Sequence, residues 1–202
     1  LRDLGSTNGV FLRIPFKREQ GTGQETPIKL GPIDVGPINS GDGANSEEPL
    51  ADQDLFLVGQ QVLRFEVVKH AEEGFGVASE NGTLLFGTPA APRYARLSQR
   101  TVEGVVRDVF HLRKVETVIG RETGDIVFAD DPFLSRRHAA VRMHVAAEGE
   151  ARPPRRFSLV DLASSNGTFL QLRAEVALQG GDQFRIGQQL FRFDFDPARG
   201  GA

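Results

Sequence analysis

Three short polar segments carry side chains suited to holding an anion: Gly120-Arg121, Ser135-Arg136-Arg137-His138 and Ser164-Ser165-Asn166-Gly167-Thr168. Arg121 offers a planar fork of N–H donors that matches phosphate oxygens. Ser135 adds a hydroxyl, Arg136 and Arg137 add positive charge, and the Asn166 amide both donates to and accepts from a peptide backbone. A phosphorylated side chain brings about two negative charges and three strong acceptors. Such a trio suits phosphate recognition, and none of its members needs to move a proton. Taken singly, the same residues have plainer roles. Arg121 pairs with Glu122 or Asp125 at a strand end, Ser135 caps a turn, and His138 supports the loops. Asn166-Gly167 makes a tight hairpin turn, with Gly167 and Thr168 serving architecture. Ser135, His138 and Asp161 are the residue types of a hydrolase triad. However, no Gly-x-Ser-x-Gly elbow presents the serine, and Ser135 and His138 share one loop, which aligns nucleophile and base poorly. His138 and His144 lack a third metal ligand at useful spacing, so neither a metal nor a cofactor is expected.

Hydrophobic residues make up 39% and charged residues 25%, an ordinary globular composition. The chain has 202 residues, enough to bury a real core. It contains no cysteine, which excludes disulfide frameworks, thiolate metal sites and thiol nucleophiles. A net charge of −3 argues against a broad nucleic-acid-binding surface, leaving room for a small basic patch. No apolar run is long enough to span a bilayer, and a cytoplasmic location with no membrane partner is expected. The chain opens at Leu1 without methionine or signal peptide, and we read this as the start of a fragment or processed chain. Gly (23) and Pro (11) are abundant, and the aromatics are almost all Phe (15). Phe and β-branched residues in short runs between glycines predict strands. In the C-terminal part these are Tyr94–Ser98, Val105–Leu112, Thr117–Gly120, Asp125–Phe128, Ala139–Val145, Phe157–Asp161, Thr168–Gln171, Gln183–Ile186 and Leu190–Phe195. Phe191, Phe193 and Phe195 alternate with polar residues. Many short strands with glycine turns predict an all-β sandwich, with the three polar segments on loops at one end.

An internal repeat sets the domain organisation. Leu1-Arg2-Asp3-Leu4-Gly5-Ser6-Thr7-Asn8-Gly9-Val10-Phe11-Leu12 returns as Leu159-Val160-Asp161-Leu162-Ala163-Ser164-Ser165-Asn166-Gly167-Thr168-Phe169-Leu170. Asp54-Leu55-Phe56-Leu57-Val58-Gly59-Gln60-Gln61-Val62-Leu63-Arg64-Phe65 returns as Asp182-Gln183-Phe184-Arg185-Ile186-Gly187-Gln188-Gln189-Leu190-Phe191-Arg192-Phe193. The expected layout is the C-terminal half of a first domain at 1–69, carrying a Gly/Pro-rich insertion at 15–49, then a linker at 70–92. A complete second domain at 93–196 and a tail at 197–202 follow. A half-domain leaves open strand edges and an uncovered apolar face. The first copy is therefore expected to be completed by a missing segment or another chain.

The order Gly-Arg, Ser-x-x-His, Ser/Thr-Asn-Gly-Thr closely resembles the forkhead-associated (FHA) domain. Flanks such as Gly124-Asp125-Ile126-Val127 and Asp161-Leu162 are family-like, and Asp3-Leu4 repeats the latter in the first copy. The resemblance covers roughly Tyr94 to Asp196, and Leu1 to Val68 resembles the C-terminal half. It implies an eleven-stranded β-sandwich that binds phosphothreonine peptides. The family's phosphate contacts fall on Arg121 and Ser135, with Arg136 beside them. The arginine follows the family's glycine, here Gly120, and the histidine that braces the loops from behind falls on His138. Its peptide-gripping turn falls on Ser165 and Asn166, followed by Gly167 and Thr168. Phe133 lies near the region that reads the residue three places after the phosphothreonine, implying an apolar or undemanding preference. The first copy has Ser6, Thr7 and Asn8 but no counterpart of Arg121 or Ser135, so its own site is incomplete. The function expected is a phosphothreonine-binding adaptor in Ser/Thr kinase signalling, its partner a kinase or a kinase substrate. The alternative is a structural or oligomerising module whose contacts need no phosphate.

Overall fold

A computed structural model describes residues 1–14, 47–68, 79–84, 86–87, 93–145 and 155–195. Most of the Gly/Pro-rich insertion, much of the linker with Thr88–Pro92, Arg152 and the C-terminal tail lie outside the described residues. The described chain contains no helix. Its strands are β1 (Val10–Ile14), β2 (Glu47–Leu50), β3 (Leu55–Val58), β4 (Gln61–Val67), β5 (Ser79–Glu80), β6 (Thr83–Leu84), β7 (Ala95–Arg100) and β8 (Val106–Leu112). These are followed by β9 (Glu116–Gly120), β10 (Ile126–Val127), β11 (Ala139–Val145), β12 (Arg155–Asp161), β13 (Thr168–Gln171), β14 (Gln183–Ile186) and β15 (Gln189–Arg192). The fold is an all-β sandwich. One sheet has eight strands in the order β15-β14-β1-β13-β3-β4-β7-β8, the other five in the order β10-β9-β11-β12-β2, and β5-β6 form a separate hairpin.

The sheets join what the repeat alone separates. β2, β3 and β4 belong to the first copy, yet β2 pairs with β12, β3 with β13 and β4 with β7. The front strands β7–β12 of residues 95–161 are thus closed by a back half from residues 47–67. The half-domain expected at 1–69 has its apolar face covered by this chain's own strands. The physical reason lies in the alternation. β3 and β4 bury every second residue, so Phe56, Val58, Leu63 and Phe65 form one apolar stripe, each fully buried. They meet Leu97, Ile119, Leu159 and Phe157 in a single core. The rings of Phe65 and Phe157 lie 5.0 Å apart across the two sheets, within the range in which tilted aromatic pairs attract. Polar contacts also join the two halves: Arg142 donates to Glu47 at 2.7 Å, and Ser158 donates to Glu47 at 2.6 Å.

The hairpin of the second copy has a different fate. β14 pairs with β1, and β15 forms the outer edge of the large sheet. Of the three alternating phenylalanines, Phe191 and Phe195 are exposed and Phe193 is only partly covered. A small second core of Val10, Leu12 and Leu172, with Phe184 against it, supports this end.

Candidate functional site

β9 ends at Gly120, and the loops after β9 and before β11 meet there. The Arg121 backbone N–H donates to Ser135 O at 3.0 Å, and the Glu122 and Thr123 N–H groups reach Arg136 O at 3.4 and 3.2 Å. Such closeness requires glycine at 120, because a Cβ there would sit 2.1 Å from Arg136 O and 2.7 Å from Thr123 O. Arg121 emerges from this junction half-exposed, its guanidinium bonded to Glu122 at 3.1 Å. Of the two acidic partners expected for it, Asp125 is engaged elsewhere, accepting from Lys114 and from the Val118 N–H.

His138 is fully buried beneath the loops. Its Nδ1 accepts from the Ser135 N–H at 3.1 Å, so its Nε2 carries the proton and donates to Gly167 O, also at 3.1 Å. One imidazole thereby ties the serine loop to the Asn-Gly turn. Burial holds it below its usual pKa, against the opposing pull of the Gly167 carbonyl and the Asp161 charge. The folded state therefore binds fewer protons than the unfolded chain below about pH 6.5. Stability should fall as pH drops below that value and level off only once the folded histidine itself is protonated. Urea midpoints between pH 5 and 8 should show this slope, and the slope should be reduced in His138→Gln.

The third loop closes the site. Ser135 Oγ accepts from the Ser165 N–H at 3.1 Å, and Asn166 Nδ2 donates to Phe133 O at 2.8 Å. Asp161 braces the turn from below, accepting from the Ser164 N–H and Oγ and from Thr168 Oγ1 at 2.8, 2.6 and 2.7 Å. Gly167 has φ +79°, a conformation that favours glycine. The structure thus gathers Gly120, Arg121, Phe133, Ser135, Arg136, His138, Ser165, Asn166, Gly167 and Thr168 at one end of the sandwich. Phe133, Arg136, Ser165 and Asn166 are exposed there, while His138, Gly167 and Thr168 are buried. No hydrolase triad forms: His138 bonds the Ser135 backbone and leaves its hydroxyl, and Asp161 serves the turn. His144 lies on the sheet, bonded to Ser158 at 2.8 Å and Glu47 at 2.9 Å.

One residue of the site escapes the motif reading. Asp131 is 3% exposed, and its carboxylate accepts from the Phe133 N–H at 2.9 Å and from the Gln60 N–H and Gln61 Nε2 at 2.8 Å each. It fastens the loop bearing Phe133 and Ser135 to the β3–β4 turn. An Asp two residues before a loop N–H is a recognised turn-former, and Asp131-Pro132-Phe133 carries that local signal. Its long-range partners carry none.

A sandwich with a Gly-Arg loop, a serine loop braced by a buried histidine and an Asn-Gly turn at one end is the arrangement of an FHA-type β-sandwich. The family model for the FHA domain matches residues 117–187, and the chain belongs to the FHA family. Its relatives include the oxoglutarate dehydrogenase inhibitor of Corynebacterium diphtheriae, 32% identical over 144 residues, which is 70% of this chain and 90% of that protein. The protein of the same name in Corynebacterium glutamicum is 36% identical over 139 residues, 68% of this chain and 88% of the relative. In Corynebacterium efficiens it is 37% identical over 91 residues, 44% and 58%. The family match covers one FHA unit.

Proposed function

We propose that the chain is a non-catalytic, cytoplasmic regulator that binds a phosphothreonine-containing segment of a protein partner. That segment belongs to a Ser/Thr kinase or its substrate. Arg121, Ser135 and Arg136 take the phosphate, Ser165 and Asn166 hold the peptide backbone, and Phe133 faces the residues beyond. The observation that carries this reading is the lacing of three loops, Arg121 to Ser135 and Ser135 to Ser165, over a buried neutral histidine. Donors held in place before the ligand arrives cost less ordering on binding. Phosphate supplies the charge that pairs with arginine, so binding should weaken as salt rises. The relatives' name supports a regulator acting on an enzyme, with oxoglutarate dehydrogenase the first partner to test.

Isothermal titration with a phosphothreonine peptide library and matched unphosphorylated peptides tests the reading. Selective binding of phosphorylated members is expected, and equal binding of both sets, or of neither, overturns it. Asn166→Ala should cost about 1 kcal/mol of peptide affinity, roughly fivefold, through loss of one neutral hydrogen-bonding group. The same titration measures it.

A further inference from the structure

The large sheet has a local two-fold symmetry. β1 and β13 pair with Leu12 opposite Leu170, flanked by Phe11 opposite Gln171 and Arg13 opposite Phe169. Leu12 and Leu170 are repeat-mates, and the repeat carries the Phe11–Gln171 pair onto the Phe169–Arg13 pair. The register continues outward identically on both sides: Val10, Phe11 and Leu12 face Ile186, Arg185 and Phe184, as Thr168, Phe169 and Leu170 face Val58, Leu57 and Phe56. The hairpins are closed alike, by Gln53 N–H to Phe65 O at 2.8 Å and Gly181 N–H to Phe193 O at 2.7 Å.

The symmetry breaks at the next strand. β4 is followed by β7, whereas β15 is followed by nothing among the described residues. The side chains that β3 and β4 bury completely have apolar repeat-mates in Phe184, Ile186, Phe191 and Phe193, of which Ile186 and Phe191 are each 44% exposed. A Cβ on Gly59 would touch Asp131 and Leu134 of the front half, while one on Gly187 would touch nothing within 4 Å. Charge follows the same pattern. Glu66 accepts from Arg96 and Ser98 of β7 at 2.7 Å each. Its repeat-mate Asp194 is an exposed carboxylate, bonded only to the neighbouring Arg192 among its described ion pairs.

We propose that the β14–β15 hairpin is a docking surface for the front half of a second FHA unit, one other than residues 95–161. That partner adds a β7-like strand to the open edge. It sets an arginine against Asp194 and lays its smaller sheet over Ile186 and Phe191. The supply of halves selects the source. Among the described residues two back-half hairpins share one front half, which β3 and β4 already engage, so a second copy of these residues exchanges partners without filling the open face.

The chain has no native cysteine, which makes the register testable. A tagged fragment of residues 93–162 with Ser98→Cys is co-expressed with the full chain bearing Arg192→Cys. Arg64 and Ser98 are cross-strand partners, so Arg192 should face Ser98 of the fragment. A one-to-one complex with this disulfide is expected, reduced at least tenfold by Asp194→Arg or Phe191→Asp. Failure to co-purify overturns the proposal, as does capture only through Arg64→Cys, which means displacement of the resident front half. A second form does not depend on the fragment's own solubility. Residues 93–162 are appended to the full chain by a long flexible linker, and amide hydrogen exchange is followed over Gln183–Arg192. Protection rising to that of Leu55–Val67 is expected, and unchanged protection overturns the proposal.

Discussion

Replacing Arg121 with alanine should weaken phosphothreonine-peptide binding by about ten- to a hundredfold and leave the melting temperature nearly unchanged. Hydrogen bonds to charged groups are worth about 1.5–3 kcal/mol, and each 1.4 kcal/mol or so is tenfold in affinity. The structural cost is small because the Arg121 side chain is over a third exposed and its partner Glu122 more so. Exposed ion pairs of this kind contribute little to stability. The loops stay laced without the side chain, since Arg121 reaches Ser135 through its backbone N–H. Arg121→Lys should recover part of the affinity, keeping the charge and losing the planar fork. Ser135→Ala should behave differently, losing both affinity and some loop order, because Ser135 Oγ also accepts from the Ser165 N–H. Calorimetric titration beside thermal melts separates these outcomes. Equal affinities of wild type and Arg121→Ala would remove Arg121 from the site.

Phe65→Ala should be the most damaging single core change, while its repeat-mate variant Phe193→Ala should be mild. Phe65 is fully buried and packs at a tilt against Phe157 of the opposite sheet, and truncating a buried phenylalanine costs about 3–5 kcal/mol. Phe193 is only partly covered and should cost about 1 kcal/mol or less by the area it buries. Urea unfolding of the two variants measures the difference. Equal costs would show that the two hairpins share the core position and would sink the topology itself. Phe65→Ala should also weaken peptide binding, because the β3–β4 turn holds Asp131 and Asp131 holds the loop of Phe133 and Ser135.

Much of this was legible in residue patterns, for physical reasons that also mark where legibility ends. Gly120-Arg121, Ser135 with His138, and Asn166-Gly167 are short segments whose local geometry is written in their own residue types, and the structure brings them together at one end of the sandwich. Strands such as Ala139–Val145 and Thr168–Gln171 agree with the runs read from β-branched and aromatic residues. The partnership between halves was not readable. Leu55–Val58 and Gln183–Ile186 have the same pattern, and pattern fixes which face a strand buries without fixing which strand lies beside it. Asp131 was missed for the same reason: its bonds to Gln60 and Gln61 span some seventy residues, and no local signal reports them.

The order of the strands in the large sheet also governs how the chain reaches its fold. The Leu55–Val67 hairpin finishes between partners that come some thirty to one hundred and ten positions later, and such distant pairings close slowly. During synthesis the first hairpin emerges early and awaits Ala95–Arg100, which it meets before Gln183–Arg192 exists. On dilution from denaturant both hairpins are present together, with the same spacing of apolar residues and the same turn. They compete for one strand, and a chain that captures the later hairpin must release it before reaching the native order. Refolding should therefore show a slow phase that synthesis on the ribosome avoids, so the sequence in which the halves appear is part of what specifies the structure.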